Sequence, residues 1–362
     1  MKVGFVVNGS ENSAMGWRAR GLAMHLPASF QCSFAYRGDT AKLSEARRFM
    51  TWLDEQKPDV AYVLDMAVSG VVAGLLHKAQ RRFKLVIDTG DAITALARSA
   101  KLRGPLGVAA TWLLEEAGLR AADALVVRGT YHKEVLAERG IVATVIPDGF
   151  EREWFYSEDA TAFRQQNGIH EGVCVGLLGS VIWNGAIEST YGWDLVEILA
   201  ALADLPLNGL MIGDGSGLPM LKEHARKRNV LDRIHFAGRV AYKDLRPWLN
   251  AMDVGLSTQT NDLPGRVRTT GKLPLYLGCG RFILASNVGE ASRVLPARML
   301  VDYEGSRDPQ YPAKAATRLR MLIDSRTDFV AQGGEVASQV AMNFEYRHLS
   351  EKLAELLNRI VT

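Results

Sequence analysis

A chain of 362 residues is long enough for two domains of ordinary size, each burying its own core. With 48% hydrophobic and 23% charged residues the composition is globular, without a disordered tract, and a net charge of +3 is too weak to imply nucleic acid as a partner. No uncharged apolar run reaches the roughly 20 residues of a membrane span, and the N-terminal MKVGFVVNGS is too short an apolar run for a secretion signal. Cys32, Cys174 and Cys279 are widely separated, lack metal-ligand spacing and read as buried thiols of a reducing, cytoplasmic setting.

Lys2–Val7 is an apolar run closed by Asn8-Gly9-Ser10, the pattern of a buried parallel strand entering a glycine loop, and a helix is predicted from about Met15 to Leu26. Strand, loop and helix in this order turn backbone N–H groups toward a ligand, which makes Gly9 and Ser10 candidates. Arg18, one turn into the helix, reads as a surface arginine or as a group reaching the same ligand. Further strands are predicted at Phe30–Tyr36, Asp59–Leu64, Phe83–Ile87, Ala124–Val127 and Val142–Ile146, with helical patterns between them. That alternation argues for a doubly wound parallel sheet whose ligands bind beyond the strand carboxyl ends. Asp65, Asp88 and Asp91 stand at such ends. Asp91 reads equally as a helix N-cap before Ala92–Ala97 or as the group that orients a substrate hydroxyl. Arg98, Lys101 and Arg103 precede the apolar Val108–Leu114, which suits a basic amphipathic segment at a membrane face or a core helix; Glu115 and Glu116 favour the core helix.

From Phe150 to Glu171 the chain is polar and aromatic, without an apolar strand, and reads as an interdomain connection. Val173–Leu178 opens a second sheet and runs into a loop at Gly179-Ser180. Leu207–Ile212 leads into Gly213-Asp214-Gly215-Ser216-Gly217, a superficial dinucleotide fingerprint whose third glycine would fall at Leu218; with no ribose-binding acid after the strand Arg233–Ala237, a nicotinamide enzyme is disfavoured. A strand ending near Ser257 enters a polar loop with Arg266, Arg268 and Thr269-Thr270-Gly271-Lys272, then a short apolar helix, then a strand at Arg281–Ala285. Pro274 fits a first helical turn, which puts Lys272 at the helix mouth. Cations and hydroxyls beside the unpaired N–H groups of a helix mouth suit a phosphate; a solvated basic loop is the plainer alternative. Phe344–Ile360 reads as an amphipathic helix.

KLPLYLGCGRFILAS resembles the donor-binding segment of the GT4 glycosyltransferases of the GT-B superfamily, whose usual form is K-L-x-E-Y-L-A-x-G-x-P-V-V-A; Lys272, Leu273, Tyr276, Leu277, Gly280 and Ala285 match. DTGDAITAL resembles the family's T-x-H-D or D-x-R-D, with Asp91 as its aspartate. Ala121-Ala122-Asp123, Val145–Gly149, the GDG loop, Gly238–Val240 and Asp253–Ser257 resemble further segments, in the family's order over nearly the whole chain. The resemblance implies two Rossmann-like domains facing a cleft, at 1–165 for the acceptor and 166–340 for the nucleotide sugar, with a C-terminal helix at 341–362 crossing back to the first. It implies a hexosyl transfer with retention of anomeric configuration from a nucleotide-sugar donor to a saccharide, lipid-linked or small-molecule acceptor.

The roles it implies are catalysis by Asp91, Lys272 and Arg266, and acceptor binding by Arg18, Asp65 and Asp88. Donor binding falls to Gly9, Ser10, Gly179, Ser180, Asp214, Arg239, Val240, Arg268, Thr269, Thr270, Gly271, Leu273 and Glu290. No D-x-D motif occurs, so neither a metal nor another cofactor is expected, and a weak peripheral contact with an inner membrane face is implied. The chain departs from the family at five places: Leu275 and Val267 where it has glutamates, the former holding ribose; Tyr191-Gly192 where it has the K-G that meets the diphosphate; Gly90 for its histidine or arginine; and Leu256 for its proline. The joint absence of the ribose glutamate at Leu275, the K-G at Tyr191 and the histidine at Gly90 motivates a competing expectation, a catalytically inert GT-B protein that binds a sugar nucleotide or a partner transferase. A GT-B epimerase would need paired carboxylates and a histidine, and none of the seven histidines sits at a recognisable strand end.

Overall fold

The computed structural model describes residues 1–80, 83–99, 104–185 and 188–361. Its contacts divide into two compact units, one of Met1–Glu151, Asp262–Gly271 and Asn343–Thr362, the other of Arg152–Asn261 and Lys272–Met342.

In the first unit six strands, β1 (Lys2–Val7), β2 (Gln31–Tyr36), β3 (Val60–Leu64), β4 (Lys84–Thr89), β5 (Ala124–Val127) and β6 (Thr144–Val145), form a parallel sheet in the order β2-β1-β3-β4-β5-β6. β3 is buried at every position, as the continuous apolar run VAYVL requires of a strand covered on both faces. One face packs Phe49, Leu53, Val63, Leu85, Ile87 and Leu119; the other packs Phe5, Leu22, Tyr62 and Val86 against Leu349, Leu353 and Leu357 of the C-terminal helix Tyr346–Val361. Gly21 makes that docking possible, since a Cβ there would stand 2.4 Å from the Tyr346 ring.

In the second unit β7 (Val173–Leu178), the short hairpin β8 (Trp183–Asn184) and β9 (Ser189–Thr190), β10 (Leu207–Ile212), β11 (Ile234–Gly238), β12 (Val254–Ser257), β13 (Phe282–Ser286) and β14 (Leu300–Val301) follow. All but the hairpin join one parallel sheet, β11-β10-β7-β12-β13-β14.

Several sequence expectations change. The first helix begins at Ala14, because Ser13 caps it by accepting from the Gly16 N–H at 3.1 Å. The polar loop after β12 contains a short helix, Leu263–Val267, started by Asp262, whose carboxylate accepts from the Gly265 N–H at 3.0 Å, with Pro264 in its first turn. Val108–Leu114 lies on the helix Pro105–Ala121, which gives only one face to the core: Thr111, Glu115, Gly118 and Leu119 turn inward and Leu114 packs against that core, while Leu106, Trp112 and Leu113 are 89%, 47% and 60% exposed. Arg98 is exposed; Lys101 and Arg103 lie outside the described residues. Cys174 and Cys279 are buried and Cys32 is only partly so; burial pushes their thiols up, to about 11 for Cys32 and about 12 for the other two. No described helix is long and apolar enough to cross a membrane.

Candidate functional site

The carboxyl ends of β3 to β6 carry a buried ionic cluster. Arg18 is 1% exposed, which removes its reading as a surface residue. Its guanidinium donates to the Asp88 carboxylate at 2.9 Å and to the carbonyls of Ile146 and Pro147 at 2.7 and 2.6 Å, and pairs with Asp148 at 3.4 Å. Asp88 also accepts from the Tyr62 hydroxyl at 2.7 Å and from Arg128 at 3.4 Å. Arg128 reaches on to Asp65 at 2.9 Å. Burial opposes charge on both arginines, but the surrounding aspartates outweigh it and hold both pKa values raised. Asp65 itself sits at φ 67, a left-handed backbone that aspartate tolerates better than most side chains. Burial raises its pKa and Arg128 opposes the rise.

Asp91 does not cap the helix Ile93–Ser99. Glu115 takes that place, accepting from the N–H groups of Ile93 and Thr94 at 2.9 and 3.2 Å. The Asp91 carboxylate instead accepts from Arg268 at 2.7 Å. Arg266, on the short helix, lies 3.5 Å from the Tyr131 hydroxyl. Gly90 has a steric cause: a Cβ there would stand 2.8 Å from Cδ of Arg128, so this arginine fills the space that a histidine side chain at 90 would need.

His132, unmarked by any strand end, is buried on the helix Thr130–Ala137, and its Nδ1 has no hydrogen-bond partner among the described residues. Burial pushes its pKa down to about 4, against the pull of Asp91, so the imidazole is neutral at physiological pH. Thr94 and Thr269, in the same unit, each bury a hydroxyl with no hydrogen-bond partner among the described residues. Gly9 and Ser10 form the turn before the first helix, where the Ser10 carbonyl accepts from the Ser13 N–H and hydroxyl at 3.0 and 2.6 Å.

In the second unit three loops lock together through their backbones. Gly179 N–H donates to Ile212, Val181 N–H to Asp214, Gly213 N–H to Gly238 and Gly217 N–H to Val181. Gly213 (φ +143) and Gly215 (φ +154) take backbones that other residues rarely adopt, and a Cβ on either would strike a carbonyl of the neighbouring loop. The Asp214 carboxylate accepts from the Gly215 N–H at 2.7 Å. Ser180 and Arg239 are exposed and Val240 is half-buried. Glu290 is the residue before the short helix Ala291–Val294.

Lys272 begins the helix Lys272–Gly278, whose following five residues are also buried. It is 7% exposed, and its ammonium lies 4.2 Å above the centroid of the Tyr191 ring. It has neither a hydrogen bond nor an ion pair among the described residues, and burial pulls its pKa down to about 7. The Tyr276 hydroxyl accepts from the Leu178 N–H at 2.9 Å, tying this helix to the end of β7. Leu273 and Leu275 are core residues, as is Val267 in the first unit, so both glutamate positions of the resemblance hold apolar side chains packed away from water. Gly271 is exposed and Thr270 half-buried. Among the described residues no group of three or more His, Cys, Asp or Glu side chains is placed to hold a metal ion.

Two parallel six-stranded sheets with helices on their faces are the architecture of the GT-B glycosyltransferases, and the chain has that fold. HepE of Anabaena, solved with UDP-glucose, is similar at a TM-score of 0.76 and 16% identity over 99% of this chain and 100% of its own. Sucrose-phosphate synthase of Thermosynechococcus elongatus is similar at 0.75 and 15%, with 99% of each chain covered. WaaG, a glycosyltransferase involved in lipopolysaccharide biosynthesis, is similar at 0.67 and 16%, over 98% of this chain and 99% of its own. No family model and no curated protein matches the sequence.

Proposed function

We propose that the chain is a glycosyltransferase that moves a hexosyl group from a nucleotide-sugar donor to an acceptor hydroxyl with retention of configuration, without a divalent metal. The observation that carries this reading is Lys272, a buried amine with no acid beside it among the described residues. A buried ammonium is tolerated when an anion meets it, and a diphosphate is the anion that a GT-B donor supplies. UDP and UDP-glucose bound to HepE support the donor class.

Retention in one displacement needs no enzymic nucleophile. It needs fixed positive groups where charge develops on the leaving diphosphate, and a positioned hydroxyl. Lys272 and Arg266 are assigned the first task, with Arg268 and the loops of Gly9-Ser10 and Gly179-Ser180 as donor contacts. Asp91, held by Arg268, is assigned the second. Arg18 and Asp88 are spent on one another, so they shape the acceptor side from beneath while Asp65 stands nearer its surface. The exposed Leu106, Trp112 and Leu113 support a weak peripheral membrane contact, and the free cysteines support a reducing, cytoplasmic location and hence the inner membrane face.

Slow hydrolysis of a panel of UDP, GDP, ADP and dTDP sugars tests the reading. One donor is expected to be turned over, and Lys272→Ala to lower that rate at least a hundredfold. The apolar Leu275 and Val267 favour the second reading, an inert sugar-nucleotide-binding protein. Donors that raise the melting temperature yet are never turned over, with any acceptor, would establish it.

A further inference from the structure

We propose that Tyr191 is an anion-binding residue of the Lys272 site: its ring positions the ammonium and its hydroxyl donates to the phosphate group that Lys272 takes. The proposal rests on the reading of Lys272 as the diphosphate contact. Tyr191 stands where the resemblance would set the lysine of K-G, and the structure gives it two features of a built site.

The first is its seat. A Cβ on Gly179 would stand 2.4 Å from Cε1 of Tyr191, so the ring lies directly on the loop that closes β7. Gly192, at φ +102, then turns the chain into the helix Trp193–Ala201. The ring face so placed is the surface over which the Lys272 ammonium lies, and a cation over an aromatic face is held electrostatically even without a carboxylate.

The second is the hydroxyl. It is buried and has no hydrogen-bond partner among the described residues. A buried hydroxyl left unpaired is costly, and so is a buried ammonium without an acceptor. Both unmet donors belong to one stacked pair, the ammonium over the ring face and the hydroxyl at its rim. Two oxygens of one diphosphate satisfy both. A carbohydrate hydroxyl would leave the cation uncompensated, and a second cation is repelled; the ligand is therefore an oxyanion, and on the reading of Lys272 as the diphosphate contact it is a phosphate or diphosphate.

Calorimetric titration with inorganic pyrophosphate, and separately with UDP, GDP, ADP and dTDP, tests this on the full chain and on Tyr191→Phe, Tyr191→Leu and Lys272→Met. Tyr191→Phe keeps the ring and removes one oxygen, and is expected to weaken pyrophosphate binding about tenfold. Tyr191→Leu removes the seat as well and weakens it further, and Lys272→Met abolishes it. Phe restoring part of what Leu loses separates the ring from the hydroxyl. Tyr191→Phe binding pyrophosphate as the unaltered protein does, or the unaltered protein binding none, overturns the proposal. Tyr191-dependent pyrophosphate binding with no nucleoside diphosphate bound leaves the proposal standing and removes the glycosyltransferase reading. Nucleoside diphosphate binding that ignores Tyr191 does the reverse.

Discussion

Lys272 carries opposite consequences for stability and for binding. Its pKa of about 7, against 10.5 for an ordinary lysine, means that burying the charge costs on the order of a few kcal/mol. Between these two pH values the unfolded chain binds a proton that the folded chain does not, so stability rises with pH across that window. Below pH 7 the penalty is present in full. Lys272→Met is therefore expected to raise the melting temperature of the free protein by several degrees at pH 6.5, a gain that shrinks toward pH 10, as calorimetry would show. Binding runs the other way: the diphosphate needs the protonated amine, so affinity for UDP is expected to fall about tenfold between pH 7 and pH 8.5. Asp88 poses a different problem. It joins Arg18, Tyr62 and Arg128 inside the protein, and Asp88→Asn leaves two buried guanidinium groups short of a counter-charge. A loss of about 3–5 kcal/mol in urea denaturation is expected. Gly90→Ala drives a methyl group into an arginine fixed by Asp65 and Asp88, for a loss of about 1–3 kcal/mol by the same measurement.

At the scale of elements, what places the charged residues is how helices start. Ser13 and Asp262 cap the helices that follow Gly9-Ser10 and precede Arg268. Asp262→Ala removes the cap of a helix of five residues that has little stability of its own. The cost is expected to be about 1 kcal/mol, seen as faster amide exchange over 263–268. Capping signals of this kind are legible in a sequence, and Ser13 and Asp262 carry them, but the polar and basic setting of Leu263–Val267 hides a helix that short. The helix Pro105–Ala121 misleads in another way: an apolar run followed by two glutamates reads as core, yet Glu115 is the inward residue because it caps a neighbouring helix.

Over the whole molecule, each unit holds its own sheet and its own core. The last helix belongs to the core of the first unit, where Leu349, Leu353 and Leu357 are fully buried. Ending the chain after Met342 is expected to strip that face and unfold the first unit, while the second unit, complete without the helix, keeps a separate thermal transition. Two transitions merging into one loss would contradict independent cores.

The sequence by itself determined the two parallel sheets, because continuous apolar strands alternating with helical patterns have few other ways to bury themselves. It also marked Asp65, Asp88, Asp91 and Lys272, since strand ends and helix mouths are local signals. Only the tertiary structure decided what these groups do to one another. Arg18 and Asp88 are 70 positions apart, as Lys272 is from Tyr191 by more, and His132 sits beside no local landmark. Burial and pairing across such separations follow from how the sheets are wound, and no window of neighbouring residues contains that information.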